Sequence, residues 1–277
     1  MTARETGPER VGMIGLGTLA RETLSALHRH GDNLVAVVAV LVRDASRERP
    51  ESGTSESGAT VAPVVETLDE LLAFHPTVVV ELAGHEAVRT HVPALLRAGV
   101  DVVLTSVGAL VDDALRDEIR EAARAGGASA RIPPGALGGL DAVAAGRLLG
   151  FDLVRHTIRK PPGSLLPESD ADRVTSAGAP VELFRGPARE AIERFPASTN
   201  VTAALAIAGA GFDDTDVVVV ADPGTVRNHH RIEAVGPFGR IVLEMENERV
   251  PGSTSGAIVV ASTVRSVLRR SAGLAID

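Results

Sequence analysis

The sequence contains no cysteine, tryptophan or tyrosine, and only six phenylalanines. Without cysteine there can be no disulfide framework, no thiolate nucleophile and no cysteine metal site. At 2% aromatic residues and a net charge of −8, the chain lacks the stacking platforms and the positive field of a general nucleic-acid binder. No apolar run approaches the roughly 18 residues of a membrane span. Met1 to Arg10 does not have the basic-then-apolar layout of a signal peptide, so a cytoplasmic protein with no membrane partner is expected. Lysine is nearly missing as well. Among 28 basic residues Lys160 is the only lysine and all others are arginine, which makes that position conspicuous.

What remains is ordinary globular material, 44% hydrophobic and 23% charged, with a core restricted almost entirely to Ala, Val, Leu and Ile. At roughly 150 residues per domain, 277 residues make about two domains. In the first half, short apolar runs alternate with helical periodicity. Strands are expected at Val11 to Gly15, Leu34 to Val42, Thr77 to Leu82, Val100 to Thr105 and Ser129 to Ile132. Helices are expected at Arg21 to His30, Leu68 to Ala73, Glu86 to Ala98 and Ala114 to Ala125, with Gly31-Asp32-Asn33 as a turn and Asp44 to Gly58 as a surface loop. Strands alternating with helices imply βαβ units and a doubly wound parallel sheet of the Rossmann type.

Around Pro133-Pro134-Gly135 the texture changes. Helices at Leu140 to Leu149 and Val201 to Ala208 accompany strands at Leu153 to Ile158, Val217 to Ala221, His230 to Val235 and Arg240 to Glu246. A smaller α+β domain with a mostly antiparallel sheet fits this pattern. A last helix, Ala257 to Arg270, ends in Arg269 and Arg270, which suit the negative end of its dipole. The expected division is the doubly wound α/β domain over 1–135, joined by the returning C-terminal helix within 255–277, and the α+β domain over 136–254.

Gly15-x-Gly17-x-x-Ala20 lies between a strand and a helix, the context a dinucleotide fingerprint requires. Gly15 permits the tight turn, Gly17 lets the backbone approach a pyrophosphate, and Ala20 is small where helix meets strand. Thr18 and Leu19 open the helix, whose free N–H groups suit phosphate. The cofactor is therefore NAD or NADP. Arg43 and Asp44 follow the second strand, where Arg43 suits a 2′-phosphate and Asp44 a ribose diol, and the pair leaves the two cofactors open.

Among eight histidines, His28 and His30 end a helix, whereas His75, His91 and His156 have no evident partner in the sequence. His85 follows Ala83-Gly84 at a strand end, at the edge of the expected cofactor cleft. His229 and His230 are adjacent on a strand, so they face opposite sides and make a poor metal pair; no metal is expected. One of them is a candidate catalytic group. Arg159-Lys160-Pro161-Pro162 closes a strand. Its basic pair suits an anion site for substrate carboxylates, with Lys160 as a compact charge or proton-transfer group.

Several motifs together resemble the L-aspartate dehydrogenases. They are Glu81-Leu-Ala-Gly-His-Glu-Ala-Val88, Ser106-Val-Gly-Ala-Leu110, Gly135-Ala-Leu-Gly-Gly-Leu-Asp-Ala142 and Arg159-Lys-Pro-Pro162. Phe184-Arg-Gly-Pro-Ala-Arg-Glu-Ala191, Phe195-Pro196, Asn200-Val201, Ala221-Asp-Pro223, Asn228-x-His230-x-Ile232 and Phe238-Gly239 follow in family order over most of the chain. The resemblance implies a Rossmann domain, an α+β catalytic domain and a homodimer. It assigns the catalytic histidine to His230 rather than His229, and cofactor contacts to Ala136 and Asn200. Ala83 and Ser106, within the matched stretches, join the expected cofactor set. Departures are Pro134 for a usual serine, Ser198 for a common asparagine, and Gly163-Ser164-Leu165 where an aromatic often follows Lys-Pro-Pro.

The implied reaction is reversible oxidative deamination of L-aspartate through iminosuccinate to oxaloacetate and ammonia. His230 is then the acid–base group, an unperturbed pKa near about 6.5 allowing it to accept and return protons near neutrality. Asn228 orients it, and Lys160, assisted by Arg159, holds a substrate carboxylate. Two other readings stand beside this one. The first is an NAD(P)-dependent reductase of another oxo or imino acid in a specialised pathway. The second is a non-catalytic nucleotide sensor, which would bind cofactor without turnover.

Overall fold

Valine-rich runs such as Val78-Val79-Val80 have no polar face to offer solvent, so they form strands covered on both sides. The computed structural model describes residues 7–31, 33–46, 62–196, 198–248 and 256–269. The chain falls into two compact units, one from Met1–Pro133 with Val260–Asp277 and the other from Pro134–Val259.

In the first unit the order is β1 (Glu9–Ile14), α1 (Thr18–Gly31), β2 (Val35–Leu41), β3 (Val64–Val65), α2 (Leu68–Ala73) and β4 (Val78–Glu81). Then come α3 (His85–Arg97), β5 (Asp101–Leu104), α4 (Asp113–Gly126) and β6 (Ala130–Arg131). These strands make a parallel sheet in the order β3-β2-β1-β4-β5-β6. The strand order reverses between β1 and β4, and an open α/β sheet binds its ligand at that switch point, beyond the carboxyl ends of the strands. Local chemistry sets the helix ends. Thr67 and Glu70 form a reciprocal capping box on α2, Asp112 accepts from Leu115 N to start α4, and Gly127 ends α4 in the left-handed region at φ 65°.

The second unit contains α5 (Leu140–Gly146), β7 (Leu153–Lys160), α6 (Glu168–Ala177), β8 (Val181–Pro187), α7 (Ala188–Arg194) and α8 (Asn200–Ala208). It continues with β9 (Thr215–Ala221), β10 (Asn228–Gly236) and β11 (Gly239–Asn247), and α9 (Ala257–Leu268) follows. The sheet order is β11-β10-β7-β9-β8, with β7 and β9 parallel and the other neighbours antiparallel. One face is buried with Leu137, Val143 and Leu205, which meet Val154, Ile232 and Ala234 from the strands. The opposite face carries ion pairs, including Arg155 with Asp216 at 2.6 Å and Arg240 with Glu233 at 2.8 Å. From α9, Val264 and Val267 enter the same apolar cluster as Val11, Met13, Val78 and Val80 of the first unit.

Several sequence expectations need correction. The helix expected over Leu140 to Leu149 stops at Gly146, and α1 begins at Thr18 rather than Arg21. The last helix closes at Leu268, and Arg270, like Asp32 and most of the loop expected over Asp44 to Gly58, lies outside the described residues. Unanticipated elements are β3, α6, β8 and α7. Helix α6 buries only Ala171, so its sequence has no apolar stripe to read. Strand β8 is an edge strand ending in Gly186-Pro187, residues that ordinarily argue against a strand.

Candidate active site

The nucleotide end of the first unit is built by backbone geometry. Gly15 has φ 94°, and a Cβ there would lie 3.0 Å from both the Ala83 Cβ and the Leu82 carbonyl oxygen, so only glycine fits. At Gly17 the position of a Cβ has no atom of the described residues within 4 Å. That leaves an open approach to the first turn of α1, formed by Thr18 and Leu19. No acidic residue stands in that turn, so its N–H groups and dipole are available to an anion. These residues fit the pyrophosphate of a dinucleotide. Beyond β2, Arg43 is exposed, while the Asp44 carboxylate accepts from Ser46 N at 3.0 Å.

Sequence reasoning passed over the polar centre of this end. Glu81, the last residue of β4, is fully buried. Its Oε1 accepts from Ala83 N at 2.8 Å, Gly84 N at 2.9 Å and the Ser106 hydroxyl at 2.9 Å, and its Oε2 accepts from Ser106 N at 3.0 Å. One carboxylate thus ties the loop after β4 to the loop after β5, and holds both Ala83 and Ser106. Ala83 is exposed and Ser106 is buried. A Glu81→Gln variant keeps an oxygen for Ala83 and Gly84 but turns an NH2 toward the Ser106 N–H. Leaving a buried donor without an acceptor costs about 1–3 kcal/mol, and that loss of unfolding free energy is expected together with weaker cofactor binding. Urea unfolding and cofactor titration check it; values equal to wild type on both would show that the carboxylate is dispensable.

In the second unit, β7 alternates strictly, with Val154, His156, Ile158 and Lys160 buried and the residues between them partly exposed. On the antiparallel neighbour β10, His230 stands opposite Ile158 and Ile232 opposite His156, so the two histidines are diagonal neighbours on one buried face. Their rings meet, with His156 Nε2 3.1 Å from His230 Nδ1. His156 Nδ1 lies 3.0 Å from the Thr202 hydroxyl on α8, and Thr202 is fully buried. One step beyond the His229–Arg159 pair come Asn228 and Lys160, both buried, at the same end of this face. The site is a polar corner of an otherwise apolar sheet face.

The electrostatics follow from burial. Desolvation, with the nearby Lys160 charge, lowers the His156 pKa to about 3. Desolvation also pushes His230 well below the usual histidine value, aided by the positive charge that His156, Lys160 and His229 carry when protonated. The expectation that His230 titrates near neutrality in the free protein is therefore corrected: both rings are neutral there.

The structure brings together His230, Lys160 and Asn228, and adds His156 and Thr202. Arg159 is the exception. It faces the opposite side of β7 from Lys160 and pairs with Asp222 at 2.8 Å, so the basic pair expected to hold a carboxylate does not form. His229 likewise points away from His230, and its neighbour Arg227 bonds Glu248. Ala136 is buried and its carbonyl accepts from Asn247 Nδ2 at 2.9 Å, and Asn247 pairs across the sheet with Asn228. Asn200 opens α8, one half-turn before Thr202. His156 had one readable signal, since a histidine alternating with Val154 and Ile158 belongs to a core face. Among the described residues no group of three His, Asp or Glu side chains is arranged to hold a metal ion, and no helix is long and apolar enough to cross a membrane.

Comparison with known proteins identifies the family. The family model of the aspartate dehydrogenase C-terminal domain matches residues 141–270, and that of the homoserine dehydrogenase NAD-binding domain matches residues 15–133. L-aspartate dehydrogenase 1 of Bordetella pertussis is 40% identical over 98% of this chain and 99% of its own. The L-aspartate dehydrogenase of Polaromonas sp. is 37% identical over 96% and 99%. The crystal structure of aspartate dehydrogenase from Thermotoga maritima has a TM-score of 0.73 at 22% identity, covering 99% of this chain and 100% of that one, a likeness of fold. The resemblance carried by the sequence motifs is thus matched across nearly the whole chain, which belongs to the aspartate dehydrogenase family of NAD(P)-dependent oxidoreductases.

Proposed function

We propose that the chain catalyses reversible NAD(P)-dependent deamination of L-aspartate to iminosuccinate, and thence to oxaloacetate and ammonia. The observation that carries this reading is the buried corner of the second sheet, where the chain's only lysine and a neutral histidine occupy one end of a single face. When bound, the nicotinamide supplies the hydride acceptor or donor. The protein does the remaining work. Lys160 holds a substrate carboxylate as a compact point charge. His230 uses Nε2, the ring nitrogen not directed at His156, to take the proton that leaves the substrate amine as the C–N bond becomes C=N. It returns that proton when the imine is reduced. In the deaminating direction His230 gives that proton to the imine nitrogen and, neutral again, takes one from the water that attacks the iminium carbon.

A neutral imidazole is the form required of a base, and burial guarantees it. A substrate with two carboxylates then brings negative charge to the ring and raises its pKa, so the acquired proton can be held until it is needed. Asn228 shares the buried face of β10 with His230 and serves as its orienting neighbour. A cytoplasmic homodimer belongs to the same reading, with sedimentation velocity to read the assembly. The deciding assay is NADH or NADPH oxidation with oxaloacetate and ammonia, followed by absorbance. Ammonia-dependent oxidation supports the proposal, and cofactor binding without it removes the aspartate assignment. The preferred cofactor identifies whether Arg43 or Asp44 dominates at the ribose.

Lys160 offers a second test with two readouts. Lys160→Met is expected to raise KM for the dicarboxylate at least about tenfold, the loss of one charge-assisted contact, while leaving KM for the nicotinamide nearly unchanged. The same change removes a positive charge that keeps His230 unprotonated, so the acid limb of kcat/KM moves up toward neutrality. Lys160→Arg retains the charge but not the compact ammonium, and should restore the position of the acid limb without fully restoring KM. Equal losses for both substrates would mark Lys160 as structural only.

A further inference from the structure

Among the three histidines of β7 and β10, His156 has no assigned part in the reaction, yet it is the one most completely enclosed. Its ring is inclined by 23° to that of His230, with centroids 5.3 Å apart and a nitrogen–nitrogen distance of 3.1 Å. Two imidazoles in that arrangement meet edge to edge through an N–H···N bond rather than face to face. The other ring nitrogen of His156 is taken by the Thr202 hydroxyl at 3.0 Å. Both nitrogens of His156 are therefore committed, and so is Nδ1 of His230.

We infer that His156 is a positioning residue that fixes the tautomer of His230, its Nε2 accepting the Nδ1 proton of His230 while its own Nδ1–H donates to the Thr202 hydroxyl. The inference rests on the acid–base role proposed for His230.

The argument is one of proton counting. A neutral imidazole carries one N–H, and a single proton occupies the bond between the two rings. If His156 donated it, His230 would have to carry its own proton on Nε2 and would present a donor to the substrate. If His230 donates it, Nε2 is bare and can act as a base. The second pattern continues outward without conflict, because a threonine hydroxyl accepts from His156 Nδ1 and still keeps its own proton for another acceptor. A carboxylate in the place of His156 would fix the same tautomer while adding a buried negative charge. The neutral ring does so without stabilising an imidazolium, which suits a base that must give its proton back.

The test is a labelled-histidine nitrogen NMR spectrum of the full chain at neutral pH, with the His230 signals identified by their loss in His230→Ala. Wild type is expected to show His230 with its proton on Nδ1. In His156→Phe, which keeps an aromatic ring in the space but offers no acceptor, His230 is expected to shift toward the Nε2–H form. For that variant kcat should fall about tenfold or more while the cofactor Kd stays within about threefold, since a misplaced proton removes the base and not the binding surface. His156→Gln, whose side-chain oxygen can accept from His230 Nδ1–H, should recover part of kcat and return the proton to Nδ1. An Nε2–H tautomer in wild type overturns the inference, as does normal turnover in His156→Phe. Should His156→Phe not fold, His156→Gln and the wild-type spectrum still decide it. If the wild-type chain shows no ammonia-dependent turnover, the dehydrogenase reading falls, and the tautomer measurement still judges this inference separately.

Discussion

Replacing His230 with alanine is expected to lower turnover by at least about 10²-fold, the contribution of a positioned acid–base group, while cofactor affinity stays within about threefold. The separation of the two effects follows from where the residue sits. His230 lies on β10 among the strands of the second unit, whereas the glycine turn and the Glu81 carboxylate that shape the dinucleotide end belong to the first. Steady-state kinetics with oxaloacetate and ammonia, beside a fluorescence titration of NADH or NADPH, measure the two quantities. Turnover within threefold of wild type would remove His230 from the acid–base role.

The pH dependence sharpens this expectation. In the free enzyme His230 has a pKa well below its ordinary value, so kcat/KM for deamination should hold steady as pH falls from 7.5 to about 6.5, the ordinary histidine pKa. In the complex, two substrate carboxylates raise the same pKa, so the acid limb of kcat lies at higher pH than that of kcat/KM. Coincident limbs would show that substrate charge does not reach the ring.

The second large effect concerns stability. His156 has a folded-state pKa of about 3, and the unfolded value is near about 6.5. Below the unfolded value the unfolded chain binds a proton that the folded chain does not, so stability falls as pH falls, and continues to fall until the folded pKa is reached. Between pH 7 and pH 5 this single ring removes about 2 kcal/mol, and across the full interval about 5 kcal/mol. His230 is shifted in the same direction and adds to the loss. Asp222 is shifted downward by its hydrogen bond to Arg159, and its linkage acts chiefly at lower pH, as the unfolded carboxylate takes up its proton. Urea unfolding of wild type and His156→Phe at pH 7 and pH 5 isolates the histidine contribution. The variant should lose about 2 kcal/mol less than wild type over that interval. Equal losses in the two proteins would mean that the ring is not held neutral in the folded state.

Both effects depend on contacts that no local reading of the chain contains. The alternation of Val154, His156, Ile158 and Lys160 marks a buried face, and it is visible in the sequence as a period of two. Which residue meets His156 is a different matter, since His230 lies 74 positions away and reaches it only through the register between β7 and β10. The same holds for Glu81 and Ser106, 25 positions apart at the ends of β4 and β5, which the parallel sheet brings side by side. Arg159 shows the reverse failure. Its proximity to Lys160 in sequence suggested a shared anion site, yet strand alternation turned it to the other face, where Asp222 takes it.

The elements β8 and α6 were illegible for a simpler reason. An edge strand closed by Gly186-Pro187 and a helix that buries a single alanine have little apolar pattern to display. Their structure is determined by the neighbours they cover.

By itself, then, the sequence determined the parallel α/β unit, the glycine turn at Gly15 and Gly17, the mostly antiparallel second sheet and the motifs shared with the aspartate dehydrogenase family. All of these are written in hydrophobic period, in backbone conformations open only to glycine, or in contiguous motifs. The tertiary structure alone decided that His156 and Thr202 join His230, that Glu81 ties the loops after β4 and β5 together, and that Arg159 stands apart. The physical reason is that hydrogen bonding and desolvation depend on three-dimensional neighbours. Local pattern selects which side of a strand is buried, and only the register between strands selects the partner found there.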